Sequence, residues 1–226
     1  MCIKYHGHKI YIDQHAYLDK IIKCFGLQNT NSTPTPFPQG YYPIHNDGLV
    51  NLALHTKFQT IIGSLLYIMI GTQPDIVYAI TVLLKYLANP TQEYISKVLY
   101  ICCYLLGTPN AVLHFNSNQD QGIIAFINVD WAFDPNNHKS QTGWFFKLAE
   151  CTFSWHSHQQ PTVAHSSTKA EYMSLLDCGR QMFWICQLLG ELGYKLGPIP
   201  ICGDNQVSIF MASNSIIEQC SKPIDI

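Results

Sequence analysis

The sequence predicts an α/β protein in which a helical region is followed by a mixed sheet with flanking helices. Two observations support this prediction. Apolar residues recur at helical spacing almost without interruption over residues 55–106. After residue 116 the pattern changes to short apolar runs separated by turn residues, then one long helical pattern, then another short apolar run. Strands interspersed with helices in this way are typical of an α/β fold.

Composition narrows the class of protein. The chain has 226 residues, of which 47% are apolar and 12% charged, with a formal net charge of −2. An average globular chain has about 25% charged residues. The high apolar fraction excludes a disordered chain. Lys and Arg are not in excess, so the sequence lacks the usual signature of a basic protein that neutralises phosphates.

The sequence also predicts an intracellular protein, in the cytoplasm or nucleus, without a membrane partner. Charged residues and histidines interrupt the N-terminus, so no signal peptide is expected. Two uncharged apolar runs, residues 61–70 and 98–106, are shorter than the roughly 20 residues of a membrane-spanning helix. Nine cysteines without a C-x-x-C pair are expected to be free buried thiols. His156 and His158 are either half of a metal site or exposed strand histidines.

The first part of the chain is predicted to contain one strand and one helix. Residues 10–12 form a short apolar run after a glycine, which is typical of a strand. A helical pattern then begins at Asp13, the expected N-cap, and ends at Gly26. Residues 29–54 contain several prolines and no periodicity, which indicates a linker.

Residues 55–115 are predicted to form a helical block. Its three helices are expected at residues 58–70, 73–87 and 91–106. Pro74 suits an early helical position, and Pro90 separates the second helix from the third. Gly107 is expected to end the third helix.

The last part of the chain is predicted to form the sheet. Strands are expected at residues 122–130, 144–148 and 152–156, the last two joined in a hairpin around Ala149 and Glu150. A long helix follows at residues 168–192, with Ser167 or Thr168 as its N-cap. A fourth strand at residues 198–202 and a short helix at residues 206–212 complete the pattern.

Three acidic residues lie at positions where a metal or catalytic site is expected. Asp130 follows the first strand of this sheet, Glu171 is expected in the first turn of the long helix, and Asp204 ends the fourth strand. Strand ends of an open sheet gather at one edge, where sites form. Three carboxylates at that edge would bind Mg²⁺ or Mn²⁺ through oxygen ligands, and two such ions can activate water for phosphodiester hydrolysis. The alternative is a helix-dipole glutamate and two loop caps.

Several segments along the chain form an ordered set of motifs: Tyr17-Leu-Asp-Lys-Ile-Ile-Lys-Cys-Phe-Gly, Ile62-Gly-Ser-Leu-Leu-Tyr, Gln73-Pro-Asp-Ile-Val-Tyr-Ala, Asp130-Trp-Ala, Lys139-Ser-Gln-Thr-Gly-Trp, Ser166-Ser-Thr-Lys-Ala-Glu-Tyr and Asp204-Asn-Gln. In this order they resemble the C-terminal part of the Ty1/copia retrotransposon polyprotein. The resemblance implies four regions: a reverse transcriptase end segment at residues 1–28, a linker at 29–54, a helical connection at 55–115 and a ribonuclease H-like domain at 116–226.

The resemblance also implies an activity, the two-metal hydrolysis of the RNA strand of RNA–DNA hybrids. Its ligands for Mg²⁺ or Mn²⁺ would be Asp130, Glu171 and Asp204. The family has its first metal-binding aspartate where this chain has Asn128. Asp130 lies two residues on, about 6.6 Å further along an extended strand. The family's last strand and fourth carboxylate lie beyond Ile226, so we expect a truncated and degenerate domain.

These departures lead to three hypotheses. The chain is an impaired nuclease fragment, a non-catalytic ribonuclease H-like remnant, or a metal-free interaction module of a host. No Tyr-x-Asp-Asp polymerase motif occurs. Arg180 is the only arginine, so we expect weak binding of an RNA–DNA hybrid, and the sequence names no protein partner. The four tryptophans are expected to serve core or hairpin packing: Trp131, Trp144, Trp155 and Trp184.

Overall fold

A computed structural model describes residues 1–116 and 122–204. Within these ranges the elements, in chain order, are β1 (Cys2–His6), β2 (Lys9–Asp13), α1 (His15–Cys24), α2 (Leu52–Gly71), a 3₁₀ turn (Pro74–Ile76), α3 (Val77–Leu84), α4 (Gln92–Gly107), β3 (Leu113–Asn116), β4 (Ile123–Asp130), β5 (Gln141–Leu148), β6 (Cys151–Gln159), α5 (Ser167–Glu191) and β7 (Ile201–Cys202). The described chain divides into two units, residues 1–116 with 149–152, and residues 122–148 with 153–204.

The first unit combines a small sheet with four helices. The sheet is antiparallel, in the order β1-β2-β3. Helices α2, α3 and α4 form a core around side chains that are almost completely buried, among them Phe58, Leu65, Leu83 and Ile101. The apolar residues of the predicted helical block therefore point inward, as their spacing requires.

The second unit is a mixed four-stranded sheet covered on one face by α5. The strand order is β6-β5-β4-β7. Strands β4 and β5 are antiparallel, whereas β4 and β7 are parallel. The core lies between the sheet and the helix. Alternate side chains of β4 and β5 pack against Cys178 and Ile185 of α5; these strand residues are Ile123, Ala125, Ile127, Trp144 and Phe146.

The structure confirms the α/β class and the hairpin at residues 149 and 150. Ala149 has φ +50° and Glu150 has φ +65°, the left-handed pair that a tight two-residue hairpin turn requires. The helical block is also present, although Pro74–Ile76 forms a 3₁₀ turn and α3 ends at Leu84, earlier than the pattern predicts.

Strands β1 and β3, and with them a separate three-stranded sheet, were not predicted. Every residue of β1 is exposed, so this strand buries no apolar face and leaves no alternating pattern in the sequence. Strand β3 is only four residues long, too short to give a periodic signal. The predicted short helix at residues 206–212 lies outside the described residues.

Two predicted helix caps were wrong. The N-cap of α1 is Gln14, one residue after Asp13. The N-cap of α5 is Ser166, because its extended backbone lets Oγ accept a hydrogen bond from the Lys169 backbone N–H at 3.2 Å. Starting the helix one or two residues earlier places Glu171 in its second turn, not its first.

The expectations for cysteines and membrane segments have mixed outcomes. The cysteines of the described ranges are free, and Cys102, Cys151 and Cys178 are buried as expected. The prediction of burial is wrong for Cys2, Cys24 and Cys202, which are exposed. Among the helices of residues 1–116 and 122–204, none has the length and apolar character needed to span a bilayer.

Substitutions of Phe146 and Phe145 test which face of the sheet is buried against α5. Phe146 is completely buried against α5, whereas Phe145 is half-buried and stacks on Phe126 with ring centroids 4.8 Å apart. Phe146→Ala should lower the free energy of unfolding by about 3–5 kcal/mol, the usual cost of an aromatic-sized core cavity. Phe145→Ala should cost less than half as much. Urea unfolding followed by circular dichroism measures both, and equal losses would contradict the assignment of faces.

Candidate functional site

The candidate site lies at the edge of the second unit's sheet where its parallel strands end. Strands β4 and β7 run parallel, with Phe126 opposite Cys202. Continuing this register by two residues places Asp204 beside Asn128. The contact of Gly203 supports this register, because a Cβ added there would lie 3.0 Å from Cγ1 of Ile127. Strand β7 ends at Cys202 and Asp204 lies in a bend beyond it, so this position extends the pairing that the two strands themselves make.

Glu171 lies in α5 beside this edge and is buried, with 7% of its surface exposed. Its Oε2 atom has no hydrogen-bond partner. Burial raises the pKa of Glu171, and the negative charge of Asp204 raises it further. The structure therefore brings Glu171 and Asp204 within electrostatic reach of each other. A buried carboxylate oxygen without a donor is costly, and a cation between the two acids would offset that cost.

Asp130 shows no resolved electrostatic interaction with this pair. The residue is exposed at the end of β4, and partial desolvation of its carboxyl is the only resolved cause of its raised pKa. Since Ile127 faces α5, strand alternation puts both Asn128 and Asp130 on the opposite face of β4, so the two positions differ only in their place along the strand. Over residues 1–116 and 122–204, no three acidic, cysteine or histidine side chains are placed to hold one metal ion. The assignment of all three acids as ligands stays a prediction.

The Asn128 side chain is engaged with its own strand. Its Oδ1 atom accepts a hydrogen bond from the backbone N–H of Val129 at 3.0 Å. An amide oxygen in this position is neutral and already bonded. It therefore cannot supply the negative charge that a carboxylate would place next to Asp204.

Gln160 positions the start of α5, a role that its sequence context does not indicate. Its Nε2 atom donates to the Ala170 carbonyl at 2.8 Å and to Thr142 Oγ1 at 3.0 Å. Its backbone N–H donates to the Ser140 carbonyl at 2.8 Å. These bonds join the ends of β5 and β6 to the helix residue that precedes Glu171. The neighbouring Gln159 looks identical in the sequence, so only the fold distinguishes the two.

A second polar cluster joins α5 to the sheet. The indole Nε1–H of Trp144 donates to Asp177 Oδ2 at 2.8 Å, and His158 Nδ1 lies 3.8 Å from the same oxygen. The rings of His156 and His158 are 4.9 Å apart. Partial desolvation of its ring, followed by the charge of His158, lowers the pKa of His156, and the nearby Asp177 opposes this effect. His156 is exposed, as the simpler hypothesis predicts, whereas His158 is half-buried.

The expectation that tryptophans serve packing is confirmed for one and wrong for two. Trp144 is 8% exposed and belongs to the core. Trp131 and Trp184 are 50% and 55% exposed. Trp131 lies two residues before the buried Phe133, and Trp184 directly precedes the buried Ile185. The sequence therefore gives no indication that the two rings face outward.

Fold and site together define an α/β domain with a carboxylate pair at the edge where its parallel strands end. The chain is 31% identical, over 96% of its length, to the retrovirus-related Pol polyprotein from transposon TNT 1-94 of Nicotiana tabacum. It is 35% identical, again over 96% of its length, to the corresponding polyprotein from transposon RE1 of Arabidopsis thaliana. The chain belongs to the Pol polyproteins of copia-type retrotransposons.

The similarity covers a small part of these relatives. The chain spans 17% of the TNT 1-94 polyprotein and 15% of the RE1 polyprotein. A shorter relative, secreted RxLR effector protein 161 of Plasmopara viticola, is 30% identical over 58% of the chain and 92% of its own length. No family model and no solved structure matches the chain.

Replacing Glu171 with Gln should stabilise the protein at neutral pH in the absence of divalent cations. The raised pKa means that ionised Glu171 is less favourable in the folded protein than in the unfolded chain, where the carboxyl ionises near 4.5. The resulting destabilisation is absent below that pH and grows as pH rises through the folded pKa. We expect the melting temperature at pH 7 to rise, by about 2–4 °C for each kcal/mol of destabilisation that the substitution removes in a chain of this size.

Differential scanning fluorimetry at pH 7 and at a pH below 4.5 measures this effect, and Glu191→Gln is the matched control. Glu191 is exposed at the end of α5, so its replacement should leave the melting temperature unchanged. An unchanged or lower melting temperature for Glu171→Gln at pH 7 would show that the carboxylate is not strained by burial.

Proposed function

We propose that the second unit is a ribonuclease H-like domain that binds a divalent cation but has lost most of its capacity to hydrolyse the RNA strand of RNA–DNA hybrids. The observation that supports this most directly is the buried Oε2 atom of Glu171, which has no hydrogen-bond partner and lies within electrostatic reach of Asp204. Asn128 stands where the family resemblance expects the first metal-binding aspartate.

The architecture of the unit supports the ribonuclease H-like assignment. Within this unit, the three adjacent strands β4, β5 and β6 come first. The long helix α5 follows them, and then comes β7, which is parallel to β4 and lies beside it. This is the order of elements that the sequence pattern predicts for the ribonuclease H-like region. The crossover through α5 also places a helix residue and a strand end at the same edge, as a shared carboxylate site requires.

The acidic residues present fit one cation better than two. Mg²⁺ or Mn²⁺, when bound in such a site, stabilises the charge that develops on a phosphodiester and helps to activate water. Glu171 and Asp204 would hold the ion, because they are close enough to interact and Glu171 Oε2 has no other partner. The neutral amide of Asn128 adds no charge, so a second ion would lack the carboxylate that both ions share.

Binding of a hybrid is expected to be weak. The phosphates of nucleic acids are neutralised chiefly by Lys and Arg. This chain has a formal net charge of −2 and a single arginine, Arg180. The same shortage of basic residues lowers the substrate affinity that hydrolysis would need.

Restoring the missing carboxylate tests the proposal. The unaltered chain should cleave a fluorescent RNA–DNA hybrid weakly or not at all in Mg²⁺ or Mn²⁺. Asn128→Asp should raise the cleavage rate at least about tenfold, which corresponds to lowering the barrier by 1.36 kcal/mol or more. Glu171→Gln in the same background should remove the gain. Product formation on denaturing gels gives the rates.

Asn137→Asp is the charge-matched control, since Asn137 is exposed in a loop and the change adds the same negative charge. It should leave cleavage unchanged. Cleavage by the unaltered chain that Glu171→Gln abolishes would contradict the loss of activity. No gain in Asn128→Asp would contradict the role assigned to position 128.

A further inference from the structure

Trp131 is held in place beside the carboxylate edge with half of its surface exposed. It directly follows Asp130, the last residue of β4. Its indole Nε1–H donates to the Ala164 carbonyl at 3.1 Å, which ties it to the loop that leads into α5. Half of the side chain nevertheless remains in contact with solvent. An anchored polar end and an exposed ring are what an aromatic stacking surface requires.

The loop that follows Trp131 is rigid as well. Ala132 has φ +51°, a left-handed conformation that few residues other than glycine adopt, and its backbone N–H donates to Ser140 Oγ at 3.2 Å. Asp134 is buried, and its carboxylate accepts hydrogen bonds from Asn136 and Gln159. Such bracing lowers the entropy that the loop would lose when a ligand contacts it.

The location of Trp131 distinguishes it from the other exposed tryptophan. Trp184 has nearly the same exposed fraction, but it lies thirteen residues beyond Glu171 on α5, about 20 Å along the helix axis. Trp131 lies at the edge where β4 ends. Val163, which precedes its anchor Ala164 in the sequence, is also exposed.

We propose that Trp131 is a nucleic-acid-binding residue whose ring stacks on a base or sugar of the strand that occupies the site. This inference rests on the proposed function for the class of ligand, a nucleic acid. Stacking on an aromatic ring does not need a basic side chain and tolerates any base sequence. It would therefore supply part of the affinity that this chain, with few Lys and Arg, lacks from phosphate contacts.

The test is binding of a fluorescein-labelled RNA–DNA hybrid to the full 226-residue chain, measured by anisotropy in EDTA. Chelation removes any contribution of a bound cation and prevents cleavage. Trp131→Ala should weaken binding about 5- to 100-fold, the range typical of one lost stacking contact. Trp131→Phe keeps an aromatic ring without the Nε1–H and should retain most of the affinity. Trp184→Ala, the exposure-matched control, should bind like the unaltered chain.

The salt dependence of the binding affinity distinguishes base stacking from phosphate contacts. The ratio of affinities between the unaltered chain and Trp131→Ala should stay constant between about 50 and about 200 mM salt, because stacking releases no counterions, while both absolute affinities fall. Circular dichroism spectra and melting curves confirm that the variants are folded. Should Trp131→Ala be misfolded, Trp131→Phe and Trp131→Leu replace it as the aromatic and non-aromatic pair.

Two results would overturn the inference. One is equal affinity of the aromatic and non-aromatic variants at position 131. The other is no detectable binding of the hybrid by the unaltered chain. Hybrid binding that depends on Trp131, together with no gain of cleavage in Asn128→Asp, would overturn the proposed function and leave the stacking role intact.

Discussion

Helix α5 packs on the inner face of the mixed sheet, and the candidate site depends on this packing. Cys178 and Ile185 are buried against β4 and β5, which fixes the distance between helix and sheet. The hydrogen bond from Trp144 to Asp177 fixes the rotation of the helix, and that from Gln160 to the Ala170 carbonyl fixes its N-terminal end. Glu171 is placed by these contacts, so its burial and its proximity to Asp204 follow from the apolar core.

Elements whose side chains are buried at regular intervals were predicted from the sequence. Elements without such a periodic pattern of burial were missed. Helix α5 and the hairpin at Ala149 and Glu150 have strong local signals, an amphipathic pattern and a turn between two alternating runs. The exposed strand β1 has no such signal. The α5 cap was misplaced by one or two residues because three consecutive hydroxyl residues can each cap a helix, and only backbone geometry selects Ser166.

Prediction of the site was limited by long-range geometry. The sequence identifies Glu171 and Asp204 as candidate ligands, and the structure brings these two together. It could not show that β7 lies beside β4 with Phe126 opposite Cys202, since this pairing joins segments far apart in the sequence. The anchoring role of Gln160 and the outward-facing ring of Trp131 likewise depend on partners 10 and 33 positions away in the sequence.

The core of the second unit and the low number of charged residues can be considered together. The core of the second unit keeps large apolar side chains at its buried positions, so the fold does not require the acidic or basic residues of a nuclease. Charged residues are few instead: they make up 12% of the chain, and arginine occurs once.

The stoichiometry of divalent cation binding tests the central claim most directly. Isothermal titration of the full chain with Mn²⁺, supported by the electron paramagnetic resonance signal of free Mn²⁺, counts the ions bound. Glu171 and Asp204 alone should bind one ion per chain, and Glu171→Gln should abolish that binding. Two ions per chain would contradict the account, as would a single ion that persists in Glu171→Gln or no binding by the unaltered protein.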